Sequence, residues 1–319
     1  MTQSSALPAA PLCFVPQYHT RVWGGRRLET LLGRVLPDPQ PYGESWELSD
    51  RPDCQSVVRS GPLAGHTLHD LWQDHRREIF GERLASHPAA RFPLLIKVLD
   101  CGDDLSIQVH PPAAIAPSLG GEPKSEMWHF VAVEPAARLY AGLRRGVTRE
   151  GFARALETGT VAECVHGIEP AAGDSLMVPS GRLHALGGGL LVFEIQQNSD
   201  TTYRVFDWNR VGLDGRPRQL HVDESLRCID FDDFEPSLRP AAAGNPLAEC
   251  AHFRVDRRTA ASGAADSTAG DPRLIMAIEP LTWGDTPVAA GSVALWPASL
   301  PPAPAVRGGD WLEITIAPG

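Results

Sequence analysis

Positive charge is scarce in this sequence. Against 39 aspartates and glutamates it sets 29 lysines and arginines, a formal net charge of −10 over 319 residues. That balance excludes a nucleic-acid partner, because phosphate backbones are held by broad basic surfaces. No run approaches the roughly 18 apolar residues of a membrane span. The opening MTQSSALPAAPLCF has neither a basic start nor a continuous apolar centre, so no signal peptide is read. Six cysteines, Cys13, Cys54, Cys101, Cys164, Cys228 and Cys250, lie far apart and form no C-x-x-C pair. Such spacing fits reduced thiols in a chain too large to depend on disulfides. A soluble, cytoplasmic protein with no membrane or nucleic-acid partner is expected, with monomer and homodimer both open. Internal repeats of like chemistry are missing. No histidine follows His252, so metal chemistry is not expected in the C-terminal stretch.

A hydrophobic content of 43% suffices for one large or two ordinary cores. Most of it falls in short strand-like runs: FPLLIKVLD, LSIQVH, EMWHFVAV, ARLYAGL, DSLMVPS, LLVFEIQQ, TTYRVFDW, RLIMAIEP, SVALWPA and WLEITIA. Short strands parted by Gly, Pro and Asp turns predict a mainly β fold, two jelly-roll barrels or sandwiches of unequal size with a few short helices. Helices are expected at LHDLWQDHRREIFGERLA (68–85) and at TREGFARALETG, where Thr148 is the N-cap and Gly159 the end; 28–33 reads as a turn or two. Near residue 236 the composition shifts to Ala, Gly, Pro and Ser. The expected division is a main domain over 1–240, a linker or long loop over 241–272 with TAASGAADSTAGD its least structured part, and a small C-terminal strand domain over 273–319 with a packing role. LGGGLL at 186–191 lies between two strands and reads as a hairpin turn at Gly187 to Gly189, not a phosphate loop.

The segment LSIQVH carries the first chemical signal. Leu105, Ile107 and Val109 alternate with Ser106, Gln108 and His110, so the three polar side chains share one face of a strand. That face is either solvent or a site. Gly102, five residues, then Gln108-x-His110 resembles the first signature motif of the cupin superfamily, with Gln108 where a histidine is usual. GDSLMVPSGRLH, with Gly173, Pro179, Gly181 and His184 at fixed positions, resembles the second. The donor types point the same way. His110 and His184 offer imidazole nitrogens, Gln108 an amide oxygen and Glu126 a carboxylate, a mixture suited to Zn²⁺ or a similar divalent ion with a position left for water or substrate.

Longer blocks narrow the resemblance. RVWGGRRL, LLIKVLDCGDDLSIQVHP, GEPKSEMWHF and VPSGRLHALGGGLLVFEIQQNSDTTYRVFDW run in order from about residue 20 to 235 and resemble the type I phosphomannose isomerases, in particular the short bacterial form. The resemblance implies one zinc ion held by Gln108, His110, Glu126 and His184. It places Lys97, Lys124, Glu194, Asp200 and Arg204 at active-site positions, with Arg210 standing in for a lysine. Ser106 is a further candidate substrate contact. Trp23, beside Gly24 and Gly25, lines the pocket mouth or packs in the core. Two departures stand out: Ser125 replaces a proline of the longer relatives, and VFDWNR replaces a Gly-Leu-Thr stretch after the arginine.

The implied reaction interconverts mannose 6-phosphate and fructose 6-phosphate through an enediol, which needs a base, a stabiliser of oxyanion charge and a phosphate anchor. Lys124, Glu194 and Asp200 are the acid/base candidates. Arg204 is the candidate for charge stabilisation or phosphate contact, with Lys97 in support. The alternatives are an isomerase of another sugar, a cupin oxygenase, and a sugar-binding cupin without turnover. If the chain stays extended from Glu194 to Arg204, equal parity puts both residues on one strand face.

Overall fold

The computed structural model describes residues 10–260 and 270–318. Residues 261–269, within the stretch expected to be least structured, lie outside them. Two compact units share the chain. One is formed by residues 18–44 and 98–242, the other by 1–17, 45–97 and 243–319.

The first unit is a sandwich of two open sheets, not a closed barrel. One sheet has the order Val165–Ile168, Leu139–Leu143, His184–Leu186, Ile107–Val109, Tyr203–Phe206. Facing it, Ser175–Val178, Glu126–Val133 and Leu190–Gln197 pair antiparallel, continued by Leu94–Cys101 and Gln17–Gly25, where Gly24 pairs with Cys101. Between the sheets, Leu139, Ala141 and Leu186 from one side meet Trp128, Phe130, Leu176 and Val192 from the other. Burying each large side chain of this kind contributes on the order of 1.5–3 kcal/mol. The five-stranded sheet is apolar on its outer face as well. Ile107, Val109, Ala185, Tyr203 and Val205 pack there with Phe152 of the helix Arg149–Thr158 and Cys228 of the helix Val222–Cys228. Arg149–Thr158 forms where its caps place it. The Thr148 side chain accepts from the Gly151 N–H, and Gly159 closes the last turn at φ 73°, a left-handed angle that glycine adopts without penalty.

Gly187 to Gly189 does form a turn, but not a hairpin. His184–Leu186 belongs to the five-stranded sheet and Leu190–Gln197 to the facing one, so the turn carries the chain between layers. The segment after Leu190–Gln197 crosses back. Glu194 and Arg204 therefore come from opposite sheets, not from one strand face; the chain does not stay extended through residues 198–202.

The second unit holds the sheet ordered Leu12–Cys13, Val293–Trp296, Arg273–Ala277, Trp311–Ile316, Phe253–Arg258, Ala248–Glu249. Leu12 pairs with Leu295, so the C-terminal strands share their sheet with the N-terminal segment. Two of its strands, Ala248–Glu249 and Phe253–Arg258, lie inside the range expected to be linker. A three-stranded sheet, Thr286–Val288, Leu281–Trp283 and Val306–Gly308, completes its core with Trp283 and Trp311. The helical stripe over 68–85 is two helices, Leu68–Asp74 and Arg76–Ala85. Thr67 and Asp70 form a capping box at the first, and Gly81, at φ 77° and ψ 172°, interrupts the second.

One buried carboxylate ties the start of the sandwich together. Asp100 is fully buried; Oδ2 accepts from the Arg27 and Leu28 N–H groups, and Oδ1 receives Arg27 Nη1 at 2.9 Å. Removing one partner of such a pair leaves the other uncompensated. Asp100→Ala is expected to cost about 3–5 kcal/mol, read as a lower urea midpoint at unchanged m-value.

Candidate active site and metal centre

The space between the two sheets is apolar in one half and polar in the other. On the five-stranded sheet, His184, Gln108 and Arg204 are direct neighbours across three adjacent strands. Glu126, in register with Gln196 and Val178, projects from the facing sheet. Glu126 Oε2 lies 3.4 Å from His110 Nε2, and Oε1 lies 3.5 Å from His184 Nε2. The donor atoms of His110, Glu126 and His184 all fall within 4.8 Å of one another, and all three residues are buried. The polar face of LSIQVH thus points into the interior, toward Glu126.

Backbone geometry sets the state of both imidazoles. His110 Nδ1 is 2.9 Å from the Thr201 carbonyl and His184 Nδ1 is 2.8 Å from the Arg182 carbonyl. A carbonyl can only accept, so each Nδ1 carries the proton and each Nε2 turns a lone pair toward Glu126. Burial, reinforced by the Lys124 charge, pushes the His110 pKa down to about 3, and burial lowers that of His184. Burial alone would raise the Glu126 carboxyl; the Lys124 ammonium and the His110 and His184 rings together outweigh it and hold that carboxyl well below the usual carboxylate range. Two neutral imidazoles and one carboxylate therefore converge. Among the described residues, His110 Nε2 and Glu126 Oε1 are buried without a hydrogen bond. Buried acceptors are costly to leave unsatisfied, and a divalent cation is the group that would satisfy all of them at once. The residues present fit such an ion.

Gln108 stands at the edge of this set. Its Nε2 is 3.4 Å from His184 Nε2, and its Oε1 accepts from the Ser106 hydroxyl at 3.1 Å. Ligation through the oxygen requires a half-turn of the amide. The motif glycines have physical reasons. A Cβ on Gly102 would come within 2.5 Å of the Gly24 carbonyl oxygen. Gly181, at φ 92°, donates its N–H to the His110 carbonyl at 2.9 Å and so holds the ligand strand.

The other sequence candidates fall in different places. Lys124 is buried, 2.7 Å from Glu126 Oε2. Burial opposes its charge, yet Glu126, Glu194 and Asp200 together raise its pKa, so it is an ammonium. Glu194 is buried and its Oε1 accepts from Trp128 Nε1 at 3.1 Å, while the Trp128 ring meets that of His184 edge-on at 5.4 Å. Asp200 is exposed. Arg204 and Arg210 lie on the far side of Gln108. Arg204 Nε donates to Ser106 Oγ at 3.2 Å and Nη1 to the Gln219 carbonyl at 2.9 Å; Arg210 pairs with Asp207 at 3.1 Å. Trp23 packs in the core with Leu99, Cys101, Leu105 and Trp128. Lys97 belongs to the other unit, buried with its Nζ 4.9 Å above the Trp46 ring.

Sequence reasoning missed several contributors. The carbonyls of Thr201 and Arg182 orient the imidazoles through backbone atoms, which no side-chain pattern reveals. Asp207 and Arg218 lie within VFDWNRVGLDGRPRQ, where charged residues alternate with turn residues and no periodicity marks an interior group.

Comparison with known proteins bears on this site. The family model described as phosphomannose isomerase type I, catalytic domain, matches residues 12–128. The chain is 35% identical over 281 residues to the mannose-6-phosphate isomerase ManA of Bacillus subtilis, covering 84% of this chain and 85% of that protein. It is 39% identical over 219 residues to a mannose-6-phosphate isomerase of Streptococcus mutans, covering 68% and 67%. The solved structure of the mannose 6-phosphate isomerase from Bacillus subtilis superposes with a TM-score of 0.80 at 28% identity, covering 96% of this chain and 99% of that one.

The donor set makes a binding prediction. Titrating chelator-treated protein with Zn²⁺ is expected to show one site per chain. At a hundredfold excess over Kd, the ion should add about 2.7 kcal/mol to the unfolding free energy. The double substitution His110→Ala, His184→Ala should abolish both effects in calorimetry and denaturant melts.

Proposed function

The chain belongs to the type I phosphomannose isomerases, and on that premise we propose how its interior site interconverts mannose 6-phosphate and fructose 6-phosphate. The observation that carries the reading is the buried set of His110, Glu126 and His184 with Lys124 against it and the Arg204 cluster beyond Gln108. An oxygenase or a binding module would have no use for this pairing of metal donors, acid/base groups and phosphate-matching cations in one cleft.

We assign the ion to zinc, held by Gln108, His110, Glu126 and His184, from the mixture of imidazole, amide and carboxylate donors without thiolate. Bound there, it supplies a Lewis-acidic contact that orients or polarises the sugar oxygens. The protein's residues do the rest. Removing the C2 proton sends the electron pair into the C1–C2 bond while O1 takes a proton, giving the enediol; returning a proton to C1 and releasing the O2 proton gives the ketose. Lys124 begins as an ammonium, so it acts as the acid or as the cation beside developing oxyanion charge. Glu194 and Asp200 are the bases. Glu194 is buried and oriented by Trp128, and Asp200 is exposed. Arg204, with Ser106 and Arg210, faces the phosphate end, where a guanidinium fork can hold phosphate oxygens in pairs. A cytoplasmic setting suits the substrate; among the described residues no helix is long and apolar enough to cross a membrane.

Two measurements test this reading. In a coupled assay, mannose 6-phosphate should be isomerised, a chelator should stop turnover and Zn²⁺ should restore it. Arg204→Ala should lower kcat/KM by at least about 100-fold with zinc content and fold unchanged, the scale of losing one preorganised electrostatic donor. A variant with near-normal turnover would remove Arg204 from the mechanism.

A further inference from the structure

Two guanidinium groups close around one buried carboxylate, Asp207, beyond Gln108, and that of Arg204 is the third of the cluster. Arg210 Nε and Nη2 reach Asp207 Oδ1 at 3.2 and 3.1 Å. Arg218 grips the same carboxylate with its fork, Nε to Oδ2 at 2.7 Å and Nη2 to Oδ1. The hydrogen bonds of Arg204 go to neutral groups instead, the Ser106 hydroxyl and the carbonyl of Gln219, the residue next to Arg218. Asp103 adds a second carboxylate 3.4 Å from Arg210, but its side chain is 69% exposed. Inside the cleft, three cations thus answer to one buried anion. The remaining positive charge matches a phosphate group of about −1.5 to −2 at neutral pH.

The backbone is shaped to make this cluster. Trp208 and Asn209 both adopt φ 55°, the left-handed region that Asn tolerates and Trp rarely enters. Trp208 Nε1 donates to the Leu105 carbonyl at 2.7 Å, which holds the turn and brings Arg210 back onto Asp207. Strain of this kind persists where the surroundings impose it, and it concentrates at functional sites. Ser106 completes the connection. Its hydroxyl donates to Gln108 Oε1 at 3.1 Å and accepts from Arg204 Nε at 3.2 Å, so the arginine cluster is one hydroxyl away from the metal donor set.

We propose that Arg218 is a further substrate-binding residue, held beside Arg210 by Asp207 so that it supplies a third cation to the phosphate anchor and selects phosphorylated over unphosphorylated sugars. The inference rests on the isomerase reading above. Arg218 touches the phosphate and not the reacting carbons, so its loss should appear in binding. Asp207 is the positioning residue. It keeps two mutually repelling guanidinium groups together before substrate arrives.

The test uses the zinc-loaded full chain with Arg218→Ala, Arg218→Lys and Arg218→Gln. Steady-state kinetics on mannose 6-phosphate and calorimetric titration with inorganic phosphate are measured for each. Arg218→Ala is expected to raise both KM and the phosphate Kd by about 10–100-fold, the size of a lost charge-assisted hydrogen bond, while kcat stays within about threefold. Arg218→Lys should recover part of the loss, since it keeps the charge without the fork. Arg218→Gln keeps an amide donor for Asp207 and removes the charge, so it gives the same phosphate defect even if the alanine variant folds poorly. Unchanged phosphate Kd in Arg218→Gln, or loss of kcat at unchanged KM, would reduce Arg218 to a structural partner of Asp207 and overturn the proposal. The phosphate titration needs no turnover. A parent enzyme inactive on mannose 6-phosphate would therefore overturn the isomerase reading, while the Kd comparison still decides on Arg218.

Discussion

A carboxylate buried between two sheets, Glu126, is the group on which the arrangement of this interior depends. Taking a carboxylate out of water costs several kcal/mol even after relaxation, and the cost is met only where partners of opposite charge and good geometry surround it. Lys124 at 2.7 Å is one such partner. The two imidazoles facing its oxygens at 3.4 and 3.5 Å are neutral and turn lone pairs toward it, which is unfavourable until a cation enters. The protein holds that electrostatic tension with its core. Trp128, in register with Glu194 and two residues from Glu126, packs against Phe130 and the apolar half of the facing sheet.

The five-stranded sheet explains how the candidate donor residues stay in place. Its outer face is covered by helices and its inner face by the second sheet, so the strands carrying Gln108 and His184 are clamped on both sides. Backbone carbonyls at Thr201 and Arg182 then fix each ring, and the loop that supplies Thr201 also carries Asp200. From the metal donors, a chain of hydrogen bonds runs through Ser106 to Arg204, and the charge of Asp207 gathers Arg210 and Arg218 beside it. On the proposed reading, one end of the cleft takes a metal and the sugar oxygens, the other a dianion.

Much of this was legible in the sequence where a single periodicity governed. EMWHFVAV and LLVFEIQQ are strands over the residues that alternation marked, Glu126–Val133 and Leu190–Gln197, and TREGFARALETG is a helix between the caps read for it. The alternation of LSIQVH showed which side chains share a face, and the two glycine-spaced motifs marked His110 and His184, which the fold brings together with Glu126. Pairing between distant segments left no such trace. Nothing local in PLCF announces a strand partner at Leu295, and a short strand such as Phe253–Arg258 is obscured by the Ala- and Gly-rich residues around it. Parity misled at Arg204, because the chain changes sheets between Gln197 and Tyr203 and parity does not survive a crossing between layers. Asp207 escaped notice because an acidic residue in a polar loop reads as exposed, and the two arginines that pair with it, Arg210 and Arg218, meet only in the fold.

The account stands most directly on where a bound ion lies. Crystals of protein purified without chelator, with diffraction recorded just above and just below the zinc absorption edge, would locate it through the anomalous difference. A single peak per chain among His110 Nε2, Glu126 and His184 Nε2, vanishing below the edge, is the result expected. A peak elsewhere in the chain, or none at this cluster in protein that isomerises mannose 6-phosphate, would contradict the reading of this interior as a metal centre.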